Sequence, residues 1–453
     1  MQPLARRLTT LRKQLDRHFS ITQAGSSLSR EIMAGFTTFL AMVYSIIIIP
    51  DMFSSVGFDR QAVFIASCLV AALGSLAIGL WAKLPLVIGG AISLSAFTAF
   101  NLVLDRGMSI PVVLGAIFWM GALFSLITQT GIRQWLFNHL PKGIAQGTGM
   151  GIGLFLLFIA ASRVGLIVAD PGAELPLKLG QLAAFPALMT LGGLAAILGL
   201  AQRRVNGSML IVMVTLSLLG LLWDPEVTFR GWVAWPTLSG SEQGGLLGKL
   251  DIWGALSPTV LPSVLALILT AIFDVTGTLQ AVAKEADLLD GDSQVVNADR
   301  VFMIDSVSSL LAGIVGAPPA AVYIESVAGV AAGGRTGLTA TVVGFLFLLM
   351  LFLSPLSYLV PNYATAPSLM YVGLLMLGNV TQLDVNDKIE MLSGLVCAVF
   401  IMLSCNVVTG ITLGFGCLVV GRLVAGESEN LNSGTLLIAG LLWLFYLGGW
   451  AIA

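Results

Sequence analysis

Charged residues are scarce in this chain of 453 residues. Only 10% are Asp, Glu, Lys or Arg, against about 25% in a typical soluble domain. Hydrophobic residues make up 57%, and the mean hydropathy is +0.95. This composition excludes an ordinary soluble protein and indicates a polytopic membrane protein in a lipid bilayer, whose helices each need about 20 apolar residues. The net charge of −2 favours no ionic partner, and nothing in the composition indicates nucleic acid.

Cysteine and histidine are also rare, with four and two residues. The cysteines lie within apolar runs and lack the CxxC spacing of a metal or redox site, so we interpret them as small buried residues. His18 and His139 have no partner pattern, and neither is expected to bind a metal or carry a proton. No nucleophile–base set is evident. An enzyme, a bound metal and a cofactor are therefore not expected.

The first 30 residues lack the short apolar core and the small-residue cleavage site of a signal peptide. Basic residues are spread along them instead, so residues 1–30 are predicted to form a basic cytoplasmic segment at the membrane surface. If the N-terminus is inside, most of the 22 Lys and Arg residues fall in inside segments. That distribution is the one the positive-inside rule favours.

Apolar runs follow one another along the chain and predict its membrane segments. In order they are 32–50, 62–82, 84–104, 110–131, 143–161, 182–201, 207–223, 258–282, 301–315, 316–334, 336–353, 367–377, 389–403 and 407–419. A last run, 436–452, is interpreted either as a further span or as a segment lying along the membrane.

The third and tenth runs differ from ordinary spans. LPLVIGGAISLSAFTAFNLVL (84–104) and GAPPAAVYIESVAGVAAGG (316–334) mix Gly, Ser, Ala and Pro where a plain span carries Leu and Ile. Broken backbone at membrane depth is costly unless it lines a cavity in the protein. Because the two runs are seven spans apart, they lie in opposite orientations, as in transporters built from inverted repeats. We predict that they line a substrate site.

Three carboxylates lie within apolar runs, where an acidic residue costs about 2.5–3.5 kcal/mol on insertion scales. Asp274 shares a helical face with Thr270 and Thr278, which lie four residues to either side. It is interpreted as a site residue, with a helix-packing Asp bonded to Thr as the alternative. Asp305 lies among serines and is interpreted equally as support for the site or as helix packing.

Glu325 follows the interruption made by Pro318 and Pro319. A half-helix beginning there is expected to direct free backbone N–H groups into the cavity, beside the carboxylate. The alternative is a structural ion pair of Glu325 with Arg335 or with another helix.

The other interrupted run supplies the hydroxyls of Ser93, Ser95 and Thr98 and the aromatic face of Phe97. Together these residues predict a second wall of the site. The candidate site contains no Arg or Lys, which disfavours a small anion. A neutral planar ring fits better, because a carboxylate can accept two N–H bonds from one ring edge. Buried carboxylates could also couple transport to protons. A channel and an anion exchanger remain as alternatives.

Five sequence motifs resemble those of a known family. They are REIMAGFTTFLAMVYS (30–45), ISLSAFTAF (92–100), FDVTGTLQAVAKEADLLD (273–290), YIESVAGVAAGGRTGLTA (323–340) and ATAPSLMYVGLLML (364–377). In these motifs the chain resembles the nucleobase:cation symporter-2 transporters, specifically their AzgA-like branch of purine permeases. Within that branch it most resembles the bacterial guanine/hypoxanthine permeases.

The resemblance implies an all-α membrane fold of about fourteen segments in two inverted repeats of seven. Segments 3 and 10 would each carry a short strand before a half-helix. A substrate-binding core domain would comprise 31–131 and 258–354, and a gate domain 132–257 and 355–453. The family also implies a bacterial inner membrane location with a cytoplasmic N-terminus, and a homodimer formed through the gate domain.

The resemblance further implies proton-coupled import of a purine by an elevator-type movement. The residues then expected to bind substrate are Glu325, Asp274, Ser95, Thr278, Phe97 and Ile324. Those expected to couple protons or support the site are Asp274, Asp305 and Glu325. The proton gradient would drive transport without a cofactor.

Three positions depart from relatives with other substrates. Related uracil carriers place His one turn after the acid of segment 8, where this chain has Thr278. Adenine-type relatives have a second acid in segment 8, where this chain has Ala271, and Asn in segment 3, where it has Ser95. The last two differences favour an oxo-purine such as guanine or hypoxanthine over adenine, and without the His proton coupling would rely on carboxylates. Adenine or another nucleobase is the alternative.

Overall fold

The computed structural model describes residues 13–130, 141–170, 177–225, 227, 229, 231–236, 245–286 and 297–448. The first 12 residues of the predicted basic segment, His139 and the end of the run 436–452 lie outside the described residues. In the rest of the N-terminal segment, Phe19 and Ile21 are buried against Leu338. This segment therefore packs on the protein.

The described chain is almost entirely helical, apart from four strands of three residues each. In chain order the elements are α1 Leu28–Met42, α2 Ser45–Ser54, α3 Arg60–Ala77, β1 Ile88–Gly90, α4 Ile92–Ala96, α5 Ile110–Gln129, α6 Lys142–Arg163, β2 Ile167–Ala169, β3 Leu177–Leu179, α7 Phe185–Gln202, α8 Ser208–Trp223, α9 Leu261–Glu285, α10 Ala298–Val315, β4 Ala320–Val322, α11 Ser326–Ala331, α12 Gly337–Met350, α13 Asn362–Leu377, α14 Lys388–Ser404, α15 Val407–Val424 and α16 Ser433–Leu447. Wider π-helical turns extend α3 to Ala82 and α4 to Asp105, and tighter 3₁₀ turns extend α12 to Leu359 and α13 to Gln382.

Many of these helices are suited to cross a bilayer. Among the described residues, eight helical stretches are long and apolar enough to span it: Leu28–Ser54, Arg60–Ala82, Ile110–Gln129, Lys142–Arg163, Phe185–Gln202, Gly337–Leu359, Asn362–Gln382 and Val407–Val424. Shorter apolar helices accompany them, including α8 and α16. The chain is therefore a multi-pass membrane protein, and the predicted all-α class is confirmed.

The two interrupted segments cross at their strands. β1 and β4 pair antiparallel, with Gly89 opposite Ala321 at the centre of the register. The ladder is extended by the Ala91 N–H, which donates to the Pro319 carbonyl at 2.8 Å, and by the Tyr323 N–H, which donates to the Val87 carbonyl at 3.0 Å. This pairing satisfies backbone groups that have no water to bond at membrane depth.

A buried serine hydroxyl holds each strand in the same way. In the first half, the Ser75 hydroxyl of α3 bonds both the N–H and the carbonyl of Ile88, at 3.1 and 3.2 Å. In the second half, the Ser309 hydroxyl of α10 bonds both groups of Ala320, at 3.2 and 2.9 Å. Each serine lies in the segment just before the strand it holds. The two halves therefore repeat one local structure, and the antiparallel pairing inverts one copy relative to the other.

The helices pack in two groups, which we name after the predicted domains. In the core group, α5 packs on α10, and α12 packs on α1 and α3. In the gate group, α6 packs on α13 and α14, and α14 packs on α15. The residue boundaries of the two domains remain a prediction.

Several segment boundaries differ from the predicted ones. The twelfth segment, predicted over 367–377, begins at Asn362, so that Pro367 lies inside it. Membrane helices tolerate such a proline because neighbouring groups satisfy the freed carbonyl. The eighth segment likewise begins at Leu261 rather than at Pro258, with Pro262 in its first turn. The first segment is divided between α1 and α2, so that Tyr44 stands at the break.

A close contact between α11 and α1 predicts the effect of one substitution. A Cβ atom at Gly329 would lie 1.9 Å from Thr38 Oγ1 and 2.9 Å from the Ala34 carbonyl oxygen. Because Thr38 is fully buried, Gly329→Ala should overpack this contact at a cost of about 1–3 kcal/mol. We expect the purified protein in detergent to unfold several degrees lower. The matched control is Gly192→Ala, since nothing lies within 4 Å of its Cβ position. Equal melting temperatures for the two variants would contradict the prediction.

Candidate functional site

The strand crossing places the two half-helices, α4 and α11, on either side of one point in the core group. Glu325 lies between β4 and α11, where the extended backbone turns into the half-helix. The expected free N–H groups of this half-helix are not found at its first three positions. The N–H groups of residues 326–328 donate to the carbonyls of residues 323–325. The N–H groups of this short turn are therefore paired with its own carbonyls. The Glu325 side chain is the hydrogen-bonding group that this segment offers instead.

Glu325 is half-buried and hydrogen-bonded to one side chain. The Tyr44 hydroxyl donates to Glu325 Oε1 at 2.7 Å. The adjacent Ile324 has 47% of its surface exposed, which shows that the carboxylate lies beside an open space. The segment predicted to bind substrate is therefore accessible in this conformation.

Asp274 approaches the same point from α9 and is also half-buried. It lies close enough to Glu325 for the two carboxylates to interact electrostatically. Thr270 and Thr278, one turn to either side, are 6% and 8% exposed. The Thr270 hydroxyl has no hydrogen-bond partner among the described residues. This helix therefore brings a carboxylate near Glu325 and carries, one turn away, a buried hydroxyl without a partner among the described residues.

The remaining predicted residues are more deeply buried. Ser95 of α4 is fully buried, and its hydroxyl finds no partner within the described part of the chain. Phe97 is 1% exposed, so its ring packs in the protein interior in this conformation. Asp305 is fully buried on α10, and the next residue, Ser306, is bonded to Ser125 of α5.

No cation among the described residues is paired with either of the two half-buried carboxylates. Among the described residues, neither Asp274 nor Glu325 forms an ion pair with Lys or Arg. Arg335, the alternative partner considered for Glu325, instead donates its guanidinium to the carbonyls of Val330 and Gly334. Its backbone N–H donates to Glu31. The site therefore offers acceptors of hydrogen bonds and negative charge.

Three tyrosines of the site region were missed in the sequence. Tyr44 contacts Glu325, and the Tyr323 hydroxyl donates a short hydrogen bond to the Gly90 carbonyl across the strand crossing. Tyr371 of α13, in the gate group, lies near Tyr44. A Tyr within an apolar span indicates a polar neighbour, because a buried Tyr hydroxyl usually has a hydrogen-bond partner. That pattern in the sequence could have identified these residues.

The core and gate groups also meet away from the carboxylates. Asn101 Nδ2 donates to the Cys405 carbonyl at 2.9 Å, and the Phe100 and Phe155 rings meet edge to face at 6.3 Å. Asp51 bonds Arg163 at 2.9 Å. All these contacts lie in the halves of their segments that the predicted orientation places toward the outside.

Sequence comparison assigns the family. The sequence model of the Permease family matches residues 29–413, and the chain belongs to this family of membrane transporters. Consistent with the absence of a nucleophile–base set from its sequence, it is a transporter and not an enzyme. It is 59% identical to the guanine/hypoxanthine permease GhxP of Escherichia coli O157:H7, over 97% of this chain and 98% of that protein. It is 35% identical to the adenine permease AdeQ of Escherichia coli K12, over 95% of each. The resemblance to purine permeases found in the sequence motifs is thus confirmed.

The fold also has a counterpart among solved structures. The transmembrane domain of the cyanobacterial bicarbonate transporter BicA matches with a TM-score of 0.63, covering 85% of this chain and 97% of that one. At 13% sequence identity the likeness concerns the fold alone. It confirms the predicted inverted-repeat architecture.

Proposed function

We propose that this protein imports guanine and hypoxanthine together with protons across the bacterial inner membrane. The observation that carries the proposal is the pair of carboxylates, Asp274 and Glu325, at an open point beside the strand crossing, with no ion pair to a cation among the described residues. The 59% identity to a protein named as a guanine/hypoxanthine permease supports the same substrate class. The relatives named as guanine/hypoxanthine and adenine permeases together support nucleobase transport.

The recognition chemistry follows from the hydrogen-bonding groups. An ionised carboxylate only accepts hydrogen bonds. Guanine and hypoxanthine both carry N1–H on the edge next to the carbonyl, so that edge can donate to Glu325. Adenine has an unprotonated N1 at that position, which would place two acceptors against each other. The first turn of α4 and the Ser95 hydroxyl would serve the purine carbonyl, since a helix start leaves backbone donors without intrahelical partners.

Proton coupling would use the same carboxylates. Two acids that interact with each other and lack a cation are costly to keep ionised together at membrane depth. Binding one proton relieves that repulsion, and substrate N–H groups relieve it further. In this proposal Glu325 binds the purine edge, and Asp274 binds substrate or carries the proton. Asp305 supports the site from behind.

The movement would be a displacement of the core group against the gate group. Asn101, Phe100 and Asp51 make contacts between the groups in the halves predicted to be outside. The open point at Ile324 would then face the inside. Alternating access requires that these outer contacts break and that equivalent contacts form on the other side. A homodimer formed by contact between two gate groups would keep the gate group fixed while the core group moves.

The proposal predicts a competition pattern. In cells without their own purine uptake, unlabelled guanine and hypoxanthine should each suppress uptake of labelled hypoxanthine by at least about tenfold at concentrations where adenine, xanthine and uracil have little effect. The reason is that a misplaced donor or acceptor in a polar site costs about 1–3 kcal/mol. A protonophore should abolish accumulation. Competition by adenine equal to that by hypoxanthine would favour the adenine alternative.

An anion exchanger is the second candidate, because the fold is shared with a bicarbonate transporter. The carboxylates at the open point argue against it, since a small anion would meet negative charge there. Inhibition of uptake by bicarbonate or sulfate, with no effect of purines, would reverse this choice.

A further inference from the structure

The break in the first membrane segment carries a residue that acts on the site. Tyr44 lies between α1 and α2, is 1% exposed, and donates to Glu325 Oε1 at 2.7 Å. Among the described residues, no other side chain is hydrogen-bonded to this carboxylate. A buried phenol with one accessible acceptor has little freedom to turn, so it defines where Oε1 lies.

The backbone around Tyr44 is fastened to the strand crossing. The Ser45 hydroxyl donates to the Met42 carbonyl at 2.8 Å and lies close to the Tyr323 hydroxyl. Tyr323 in turn donates to the Gly90 carbonyl in β1. The phenol of Tyr44 is thus held in a fixed relation to both interrupted segments. Its hydrogen bond transmits that fixed position to Glu325.

We propose that Tyr44 is a positioning residue that fixes the plane of the Glu325 carboxylate and thereby favours guanine over hypoxanthine. The inference rests on the proposed function and deepens it. A carboxylate has about four acceptor positions on its two oxygens. Tyr44 occupies one of them on Oε1 and leaves Oε2 and the remaining position of Oε1 for the substrate.

The preference follows from the number of donors on the purine edge. Guanine presents two neighbouring donors, N1–H and the exocyclic amino group, whereas hypoxanthine presents N1–H alone. Two parallel hydrogen bonds form only if the carboxylate plane matches the ring plane, and such bidentate pairs depend on orientation. A single bond survives rotation of the carboxylate. Fixing the plane in advance therefore benefits guanine more than hypoxanthine.

A residue of the gate group also lies near Tyr44. Tyr371 of α13 lies near Tyr44 and is half-buried. A substrate held by Glu325 would thus lie near an aromatic residue of the gate group.

The test is Tyr44→Phe, which removes the hydroxyl and keeps the ring. The apparent KM for guanine should rise about tenfold, as expected for loss of an oriented bond to a charged group. The KM for hypoxanthine should rise less than about threefold, and the maximal rate should change little for both. The matched control is Tyr363→Phe, which removes a hydrogen bond of the same type, from the Tyr363 hydroxyl to Asp224 Oδ2 at 3.0 Å. It should leave the guanine-to-hypoxanthine ratio unchanged.

Each other outcome decides the matter. An equal rise of both KM values, or a lower rate alone, would show that Tyr44 only stabilises the fold and would overturn the proposal. If wild-type protein takes up neither purine, the proposed function itself fails, which is distinguishable because the wild type is measured first. Thermal stabilisation of the purified variant by each purine gives the same ratio without transport. Loss of the guanine preference there supports the proposal, and its retention overturns it.

Discussion

Replacing Glu325 with Gln is expected to reduce uptake of guanine and hypoxanthine by at least about a hundredfold. Hydrogen bonds to a charged group contribute about 1.5–3 kcal/mol each, and 1.4 kcal/mol is a factor of ten. The Gln oxygen can still accept from Tyr44. Its amide NH₂ would then face the purine N–H groups, so that donors meet donors. Initial rates of labelled hypoxanthine uptake at low concentration measure this loss.

A matched control separates the site from charge in general. Glu429 is exposed in the described structure, and Glu429→Gln removes the same charge far from the strand crossing. It should transport at the wild-type rate when made at an equal level. Wild-type uptake by Glu325→Gln would show that the site has been placed wrongly.

Asp274→Asn tells whether that acid binds the purine or carries the proton. If Asp274 carries the proton, the variant should still exchange external for internal hypoxanthine but no longer accumulate it. If Asp274 binds the substrate, both activities should be lost, as in Glu325→Gln. Accumulation equal to that of wild type would exclude both roles.

The second large effect is expected at Asp51. Its carboxylate is 4% exposed and lies 2.9 Å from Arg163 of the gate group and 3.6 Å from Arg60 of the core group. Thr365 of the gate group also donates to it, at 3.2 Å. Removing one partner of a buried ion pair costs about 3–5 kcal/mol, because the remaining charges stay uncompensated. In Asp51→Asn the two arginines would face a neutral side chain, and the contact between the groups should open.

The expected result is a decrease in the maximal uptake rate of about tenfold or more, as the balance between the two conformations shifts by this energy. The KM should change less, because the carboxylates proposed to bind the purine are untouched. Cys405 reports the opening directly, since its carbonyl accepts from Asn101 at the outer contact and its side chain is half-buried. With the exposed Cys417 replaced by Ser, a membrane-impermeant maleimide should label Cys405 faster in the Asp51→Asn variant.

Asp170→Asn is the control for this experiment. Asp170 pairs with Lys178 at 3.1 Å in the β2–β3 hairpin, where the side chains are 31% and 57% exposed. Exposed pairs contribute about 0–1 kcal/mol, so uptake and labelling should match the wild type. Unchanged labelling and uptake in Asp51→Asn would show that the Asp51–Arg163 contact does not hold the outer side closed.

Much of the fold could be predicted because membrane segments have a one-dimensional signature. Hydropathy located most of the segments, and the small residues around Gly89 and Pro318 identified both interruptions. Segment ends were less certain, as Pro367 shows, because a proline inside a membrane helix and a proline at its start look alike in the sequence. Candidate site residues are visible in the sequence where a side chain is costly in lipid, as at Asp274 and Glu325. A neighbour of the candidate site is not visible where its side chain is compatible with lipid, as at Tyr44.

By itself, the sequence predicted a multi-pass membrane protein with three carboxylates in its apolar runs and two broken segments, because apolar runs and isolated charges are visible residue by residue. The tertiary structure alone decided which groups meet. Strand β1 pairs with β4, Tyr44 bonds Glu325, and Asp51 bonds Arg163, although each pair is more than 100 residues apart. Such contacts depend on how the helices pack, and neither composition nor periodicity records the distance between residues that are remote in the chain.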